Sequence, residues 1–209
     1  MAYNNGRMPF SAGVTTVLPS PQERADRLVA AARDLANETG SAAFTVAQVV
    51  ERAGASFKGF YRLFGGKDDL LLALLDADSR VGGRLLADRV ERHRPPEHRL
   101  RAFVEGIFEL ATLPGATGYA GVLVREYRRL AEERPADLRR ALSPLVDLLA
   151  AEITAASGAG VTTSGDPARD ASTMFALILT GIHDVTIGAD ADDVAAHLWR
   201  FCWNGLQAR

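Results

Sequence analysis

From Pro21 onward, apolar residues recur every three or four positions along the chain, with polar residues between them. This period is typical of amphipathic α-helices, and no stretch shows a convincing strand pattern. Proline and glycine interrupt the pattern at intervals that suit nine helices. The last six are predicted over about residues 67–92, 97–113, 118–133, 136–157, 168–187 and 190–205. The pattern therefore predicts an all-α protein.

Segment 45–70 predicts two short helices joined by a tight turn, followed by a longer helix. Thr45 and Gln48 have the spacing of a capping box, which starts the first short helix. That helix ends at Gly54, where glycine can adopt a positive φ, and Ser56 can cap the next helix. Two short helices with a glycine in the turn between them are the layout of a DNA-binding helix-turn-helix.

The charge pattern of this segment also favours DNA binding. The segment from position 52 to position 67, both included, contains no acidic residue and four basic residues: Arg52, Lys58, Arg62 and Lys67. Such a cluster can neutralise phosphates and release counterions. The net charge of the whole chain is only −2, so we expect weak long-range steering toward DNA. The alternative interpretation is an ordinary helical hairpin that exposes a few basic residues.

Several short motifs of this region occur in one order and register: an amphipathic first helix, Gly40, Thr45-Val46, Arg52-Ala53-Gly54-Ala55-Ser56, Tyr61 with Phe64, and Lys67 with Leu70-Leu71. Through them, residues 24–72 resemble the N-terminal domain of the tetracycline-repressor-like (TetR) family of bacterial transcriptional regulators. The rest of the chain resembles the family only in length and helical character. The resemblance implies a helix-turn-helix DNA-binding domain (21–66) and a helical ligand-binding and dimerisation domain (67–209). Residues 1–20 are rich in Gly, Asn, Pro, Ser and Thr without periodicity, which predicts a disordered N-terminal arm.

The resemblance also implies roles for individual residues. Tyr61 and Lys67 would contact the DNA backbone, with Thr45 at a phosphate, and Arg62 would reach a phosphate or remain solvated. The start of the recognition helix would face base edges through Ser56, Phe57, Lys58 and Gly59. Lysine can bond guanine, and a phenylalanine ring can touch thymine methyl groups. For Phe57, packing beneath the turn is the alternative.

Two positions depart from the family pattern. Leu63 stands where the family often carries histidine, which removes a polar group available to the DNA backbone. Gly65-Gly66 stands where a Pro-Ser pair is common. We therefore predict a weaker cap on the fourth helix and a looser hinge between the domains.

For the C-terminal domain, the resemblance implies a pocket for a small apolar or amphipathic effector of unknown identity. The candidate lining residues are apolar positions and polar residues within apolar helices: Phe103, Ile107, Leu110, Tyr119, Leu123, Arg125, Phe175, Leu179 and His183. The apolar positions are equally well explained as core. A single histidine on a buried helix is more often a hydrogen-bonded core residue than a ligand contact.

The last helix has two adjacent apolar stripes, which need two partners. One partner can be the chain's own core and the other a second copy of the chain, although docking on its own domain alone is the alternative. The resemblance implies a homodimer built by the last two helices. We predict an interface that includes Leu177, Thr180, Asp184, Trp199 and Trp203.

Other classes of function lack sequence support. The sequence contains no motif of α/β-hydrolases, phosphate-binding loops or zinc proteases, and its four histidines show no metal-ligand spacing. We therefore expect no enzyme activity, metal or cofactor. A single cysteine, the lack of a signal peptide and the lack of an apolar run near 20 residues predict a cytoplasmic protein with no membrane partner. We expect a ligand-responsive regulator, most plausibly a repressor, on a palindromic operator in double-stranded DNA. The alternatives are a helical protein that binds a partner or a small molecule without binding DNA, and an all-α enzyme.

Overall fold

The computed structural model describes residues 19–207, and this part of the chain forms nine α-helices and no strand. The all-α prediction is confirmed. Residues 1–18, which include most of the predicted disordered arm, lie outside the described residues. The helices are α1 (Pro21–Thr39), α2 (Val46–Arg52), α3 (Phe57–Leu63), α4 (Lys67–Glu91), α5 (Pro96–Ala111), α6 (Thr117–Glu133), α7 (Pro135–Gly158), α8 (Pro167–Thr186) and α9 (Ala191–Gln207).

The first three helices form a small unit whose ends are determined by local side chains. Ser20 and Thr45 each start a helix with a complete capping box, at α1 and α2. The turn after α2 passes through Gly54 at φ 58°, a conformation that glycine adopts without a Cβ penalty. Ser56 then caps α3. All these caps depend on contacts three residues away, and the sequence pattern predicted the caps at Thr45 and Ser56.

The long helix α4 joins this unit to the remaining helices, contacting α1 on one side and α5, α6 and α7 on the other. As predicted, Gly66 offers α4 no side-chain cap. The carboxylate of Asp69 compensates by accepting a hydrogen bond from the Gly65 amide at 2.8 Å. The predicted domain boundary between residues 66 and 67 coincides with the start of α4, and both it and the looser hinge stay predictions.

Helices α5 to α9 pack around one another and around the C-terminal part of α4. A Cβ added at Gly181 of α8 would lie 2.8 Å from the Phe108 ring of α5 and 2.9 Å from Val194 of α9. Three helices therefore meet here at a distance that only glycine allows.

On length and composition, α7 could cross a membrane, and the sequence prediction overlooked it. A core helix passes the same test, and α7 contacts α4, α5, α6 and α8. This one helix does not suggest a membrane protein.

Candidate DNA-binding surface and ligand cavity

One face of α3 carries large and basic side chains that the protein itself leaves uncovered. Phe57 is 52% exposed and Tyr61 57% exposed, and Lys58 and Arg62 lie in solvent beside them. The opposite face is fully buried through Phe60. The alternative that Phe57 packs beneath the turn is therefore wrong. An exposed aromatic and basic face on a rigid, well-anchored helix is suited to contact with a charged, stacked polymer.

The polar residues predicted at the ends of α2 and α3 first serve their own helices. The Ser56 hydroxyl accepts a hydrogen bond from the Gly59 amide at 3.0 Å, and a Cβ at Gly59 would come within 3.2 Å of that hydroxyl. The Thr45 hydroxyl accepts from the Gln48 amide at 3.2 Å, while the Gln48 side chain accepts from the Thr45 amide at 2.8 Å. The cap therefore gives one reason for a glycine at position 59, and the predicted close approach to DNA would be a second reason.

The basic cluster is smaller than its sequence suggests. Arg52 forms a two-pronged ion pair with Glu38, at 2.7 and 2.8 Å, so its charge is largely compensated. Lys67 is partly buried, with its ammonium 4.9 Å from the centre of the Phe44 ring. Lys58 and Arg62 remain as exposed cations without an acidic partner among the ion pairs of the described chain.

A large apolar cavity of about 520 Å³ lies among α4, α5, α6, α7 and α8, with one residue contributed by α1. The volume lies within the range usual for drug-sized ligands. Val81 and Leu85 on its wall are about half exposed, so the cavity opens to solvent beside α4. The wall is mostly aliphatic and aromatic, which suits an apolar ligand.

The polar groups of the cavity are concentrated at one end. Arg33 of α1 donates from Nη2 and Nε to one carboxylate oxygen of Asp78, at 2.6 and 3.1 Å. Tyr119 of α6 donates its hydroxyl to the other carboxylate oxygen at 2.5 Å. Ser79, which is buried, lies on the same wall. We call Arg33, Asp78 and Tyr119 the polar cluster.

The electrostatics of the polar cluster favour the protonated forms of Arg33 and Tyr119. Burial raises the pKa of the Tyr119 phenol, and the charge of Asp78 and the hydrogen bond to it raise this pKa further, so Tyr119 remains a donor. Burial alone would lower the pKa of Arg33, but the charge of Asp78 and the hydrogen bonds to it outweigh burial and leave the pKa raised. The cluster therefore joins a cation, an anion and a neutral phenol.

The structure brings only part of the predicted pocket together. Six of the nine nominated residues line the cavity: Ile107, Leu110, Tyr119, Leu123, Phe175 and Leu179. Phe103 is instead completely buried in the core, and Arg125 donates to the Gly40 carbonyl of α1 at 2.6 Å. His183 does not line the cavity, and its Nδ1 atom is buried without a hydrogen-bond partner among the described residues. These three residues do not line this cavity, because helix packing turns their side chains elsewhere.

The sequence reasoning missed Arg33, Asp78 and Ser79. Arg33 lies on the first helix, 45 residues before its partner Asp78, and looks like an ordinary polar residue of an amphipathic helix. Asp78 and Ser79 lie in a helix whose polar residues have no distinctive spacing. A single sequence contains no local signal for such a contact.

The family described as bacterial regulatory proteins of the tetR family matches residues 28–74 of the chain. This region runs from α1 into the first half of α4 and contains the complete α3 surface. The N-terminal part of the chain is therefore TetR-like. No protein of curated function matches it in sequence.

Solved structures share the fold of this TetR-like chain along most of its length. The regulator FadR from Bacillus subtilis, solved with stearoyl-CoA, has a TM-score of 0.71 and 17% identity, covering 86% of this chain and 98% of its own. RolR, solved with resorcinol, has a TM-score of 0.65 and 19% identity, covering 87% and 88%. A putative TetR-family regulator from a Rhodococcus species has a TM-score of 0.67 and 23% identity, covering 90% and 100%. At these identities the likeness concerns the fold.

Homodimers are typical of the TetR family. The predicted interface lies on the outer face of α8 and α9. Thr180 and Asp184 are exposed there, and Leu177 and Trp203 are partly buried. Trp199 differs from these four, because it is only 5% exposed within the single chain and stacks on Trp203 at 5.2 Å. Trp199 thus belongs to the chain's own core, and its predicted exposure at an interface is not seen. Phe201 of α9 is instead 64% exposed.

Proposed function

We propose that this TetR-like protein is a homodimeric, sequence-specific DNA-binding regulator of transcription that represses its target genes until a small effector releases it. The observation that carries the proposal is the uncovered aromatic and basic face of α3, which lies within the matched family region. About half of the Phe57 and Tyr61 side chains is left to solvent in the single chain. This surface would be covered if α3 lay in a major groove.

The exposed residues of α3 suit two kinds of DNA contact. At the N-terminal end of the helix, Phe57 and Lys58 would meet base edges, the ring against thymine methyl groups and the ammonium against guanine. Tyr61 and Arg62, one turn further along, would contact phosphates and hold the register. Lys67 and Thr45 would add backbone contacts from the neighbouring helices.

The cavity provides the site for the effector. Its size and apolar wall fit a small apolar or amphipathic molecule. The fold-related RolR and FadR were solved with resorcinol and stearoyl-CoA, which are respectively small and amphipathic, but they share little sequence with this chain. For release, the effector must bind the DNA-incompetent arrangement more tightly than the competent one, by about 1–3 kcal/mol in typical cases.

A second copy of the chain would cover the outer face of α8 and α9, including Phe201, Thr180 and Asp184. A two-fold dimer places two α3 helices on one side of the DNA, and its operator is then a palindrome. The dimer would work in the cytoplasm, where the single cysteine stays reduced.

The test is selection of bound duplexes from a random DNA pool at a fixed, moderate salt concentration. The expected result is enrichment of a palindrome with half-sites one helical turn or a multiple of it apart. If folded protein enriches no sequence, either without a probe ligand or with a saturating concentration of one, the proposal is contradicted. It would favour a helical protein that binds a partner or a small molecule only.

Two variants then separate base contacts from phosphate contacts on the selected duplex. Lys58→Ala should relax the preference at one base position, at a cost of about 1–3 kcal/mol. Arg62→Ala is the matched control on the same helix face. It should weaken all duplexes similarly and lower the salt dependence by about one counterion. Equal effects of both variants on every duplex would contradict the base contact of Lys58.

A further inference from the structure

We propose that the effector is a neutral apolar alcohol or phenol, and that its hydroxyl group inserts between Arg33 and Asp78, so that a side chain of the DNA-binding helices takes part in ligand recognition. This inference rests on the proposed role of the cavity as the effector site. It adds the chemical class of the effector and the residue through which binding reaches α1.

The position of Arg33 carries the inference. All other residues that line the cavity belong to α4 or to the helices after it, apart from Ala116 just before α6, whereas Arg33 comes from α1. Its Nε and Nη2 atoms point to a single carboxylate oxygen, while Nη1 takes no part in the pair. A ligand that reaches this end of the cavity therefore touches α1 directly.

The charges of the polar cluster select the ligand's functional group. A carboxylate ligand would replace Asp78 at Arg33 but would lie beside the Asp78 carboxylate, and like charges at such distances repel. An ammonium ligand would pair with Asp78 and leave Arg33 without its partner. Either charge would also have to be transferred into a cavity whose wall is otherwise apolar, which costs free energy.

A neutral hydroxyl avoids both problems. It can donate its proton to the Asp78 carboxylate and accept a hydrogen bond from the Arg33 guanidinium at the same time. No charge is left unpaired when it does so. A ketone or ester oxygen can only accept, so it cannot satisfy Asp78. The buried hydroxyl of Ser79 is a further polar neighbour on that wall.

Insertion has a mechanical consequence. Arg33 and Asp78 are 2.6 Å apart at their closest atoms, and a hydroxyl between them must separate these atoms by a further hydrogen-bond length. The ion pair links α1 to α4, so its opening loosens the contact between the two helices. A hydrophobic ligand without a hydroxyl fills the same cavity and leaves this link closed.

The experiment compares three probes of similar shape on the purified full-length protein: 1-naphthol, naphthalene and 1-naphthoate. Affinities are measured by calorimetry or by ligand fluorescence. We expect 1-naphthol to bind about tenfold more tightly than naphthalene, the gain typical of a hydrogen bond to a charged group, and 1-naphthoate to bind more weakly than 1-naphthol. Equal affinities for 1-naphthol and naphthalene, tighter binding of 1-naphthoate, or no binding of any probe up to its solubility limit would overturn the inference.

Variants locate the preference within the cavity. Arg33→Met keeps an unbranched apolar stem but removes the guanidinium, and Asp78→Asn keeps the shape of the side chain; each should reduce the preference for 1-naphthol over naphthalene to about threefold or less. Tyr127→Phe is the matched control, because Tyr127 lines the same cavity away from the polar cluster. It should keep the tenfold preference, whatever it does to either affinity. A preference that survives in both cluster variants, or is lost equally in the control, would overturn the inference.

Amide hydrogen exchange in the unaltered protein provides a readout that does not depend on the folding of any variant. 1-Naphthol should speed exchange in α1, and naphthalene at equal saturation should not. Identical exchange with both probes would overturn the mechanical part of the inference. These outcomes are independent of the duplex selection, so failure of the DNA-binding proposal and failure of this inference can be told apart.

Discussion

Asp69 replaces the missing cap at the start of α4. Its removal should lower the free energy of unfolding, and this loss can be divided among three interactions of its carboxylate. Gly66, the N-cap residue, has no side chain to satisfy the free amides of the first turn. One carboxylate oxygen of Asp69 accepts from the Gly65 amide at 2.8 Å, and the other accepts from Nη1 of Arg134 at 3.0 Å. Asp69 also lies in the first turn, where a negative charge interacts favourably with the helix dipole.

The three contributions can be summed. The exposed hydrogen bond to Gly65 contributes about 1 kcal/mol and the dipole interaction about 0.5 kcal/mol. The ion pair with Arg134 contributes about 0.5 kcal/mol, since both side chains are more than a third exposed. Asp69→Ala should therefore cost about 2 kcal/mol. Asp69→Asn keeps an acceptor for the Gly65 amide and should cost about half as much.

Thermal unfolding followed by circular dichroism measures both variants at one fixed protein concentration, because the proposed dimerisation would make the midpoint concentration-dependent. For a chain of this size, 1 kcal/mol corresponds to about 2–4 °C, so Asp69→Ala should lower the midpoint by about 4–8 °C. Asp68→Ala is the control: Asp68 pairs with Arg129 at 2.6 Å but accepts no backbone amide. If the alanine and asparagine variants of Asp69 unfold at the same temperature, the hydrogen bond to Gly65 contributes nothing and the reasoning is refuted.

Three further predictions concern the C-terminal helices. Phe201→Glu should give folded monomers in light scattering, and Trp199→Glu should instead unfold the chain; an unchanged dimer with Phe201→Glu would place the interface elsewhere. Burial raises the pKa of the Cys202 thiol to about 11, so iodoacetamide at pH 8 should label it slowly in native protein and rapidly in guanidinium; equal rates would contradict its burial. Gly181→Ala should cost about 1–3 kcal/mol in urea unfolding because its Cβ has no space, whereas Gly118→Ala, which meets open space, should be neutral or stabilising.

Local features of the fold were predictable from the sequence because their causes lie within a few residues. The caps at Ser20, Thr45 and Ser56 and the turn at Gly54 depend on side chains three residues away or on one backbone conformation. The α3 face followed for the same reason. Once the limits of α3 are known, the helical period places Phe60 on the buried face and the neighbouring residues on the solvent-exposed face.

The cavity was less predictable because helix packing decides which face of each helix meets it. Ile107 and Phe103 are both apolar and one turn apart on α5, but only Ile107 reaches the cavity. Arg125 and His183 were predicted as pocket residues because they are polar residues in apolar helices, but they lie outside the cavity. Arg33 and Asp78 pair across 45 residues, and no periodicity reveals such a pair.

The polar contacts that hold the first turn of α4 and the helix α1 against their neighbours differ in their access to the cavity. At the start of α4, Asp68 and Asp69 pair with Arg129 and Arg134, outside the cavity. At the cavity itself, Arg33 pairs with Asp78. A ligand can reach only the Arg33–Asp78 pair, so it can loosen α1 while the first turn of α4 stays attached. In the proposed mechanism the effector would release α1 from the middle of α4, and α3 would move with α1 because the two helices pack together.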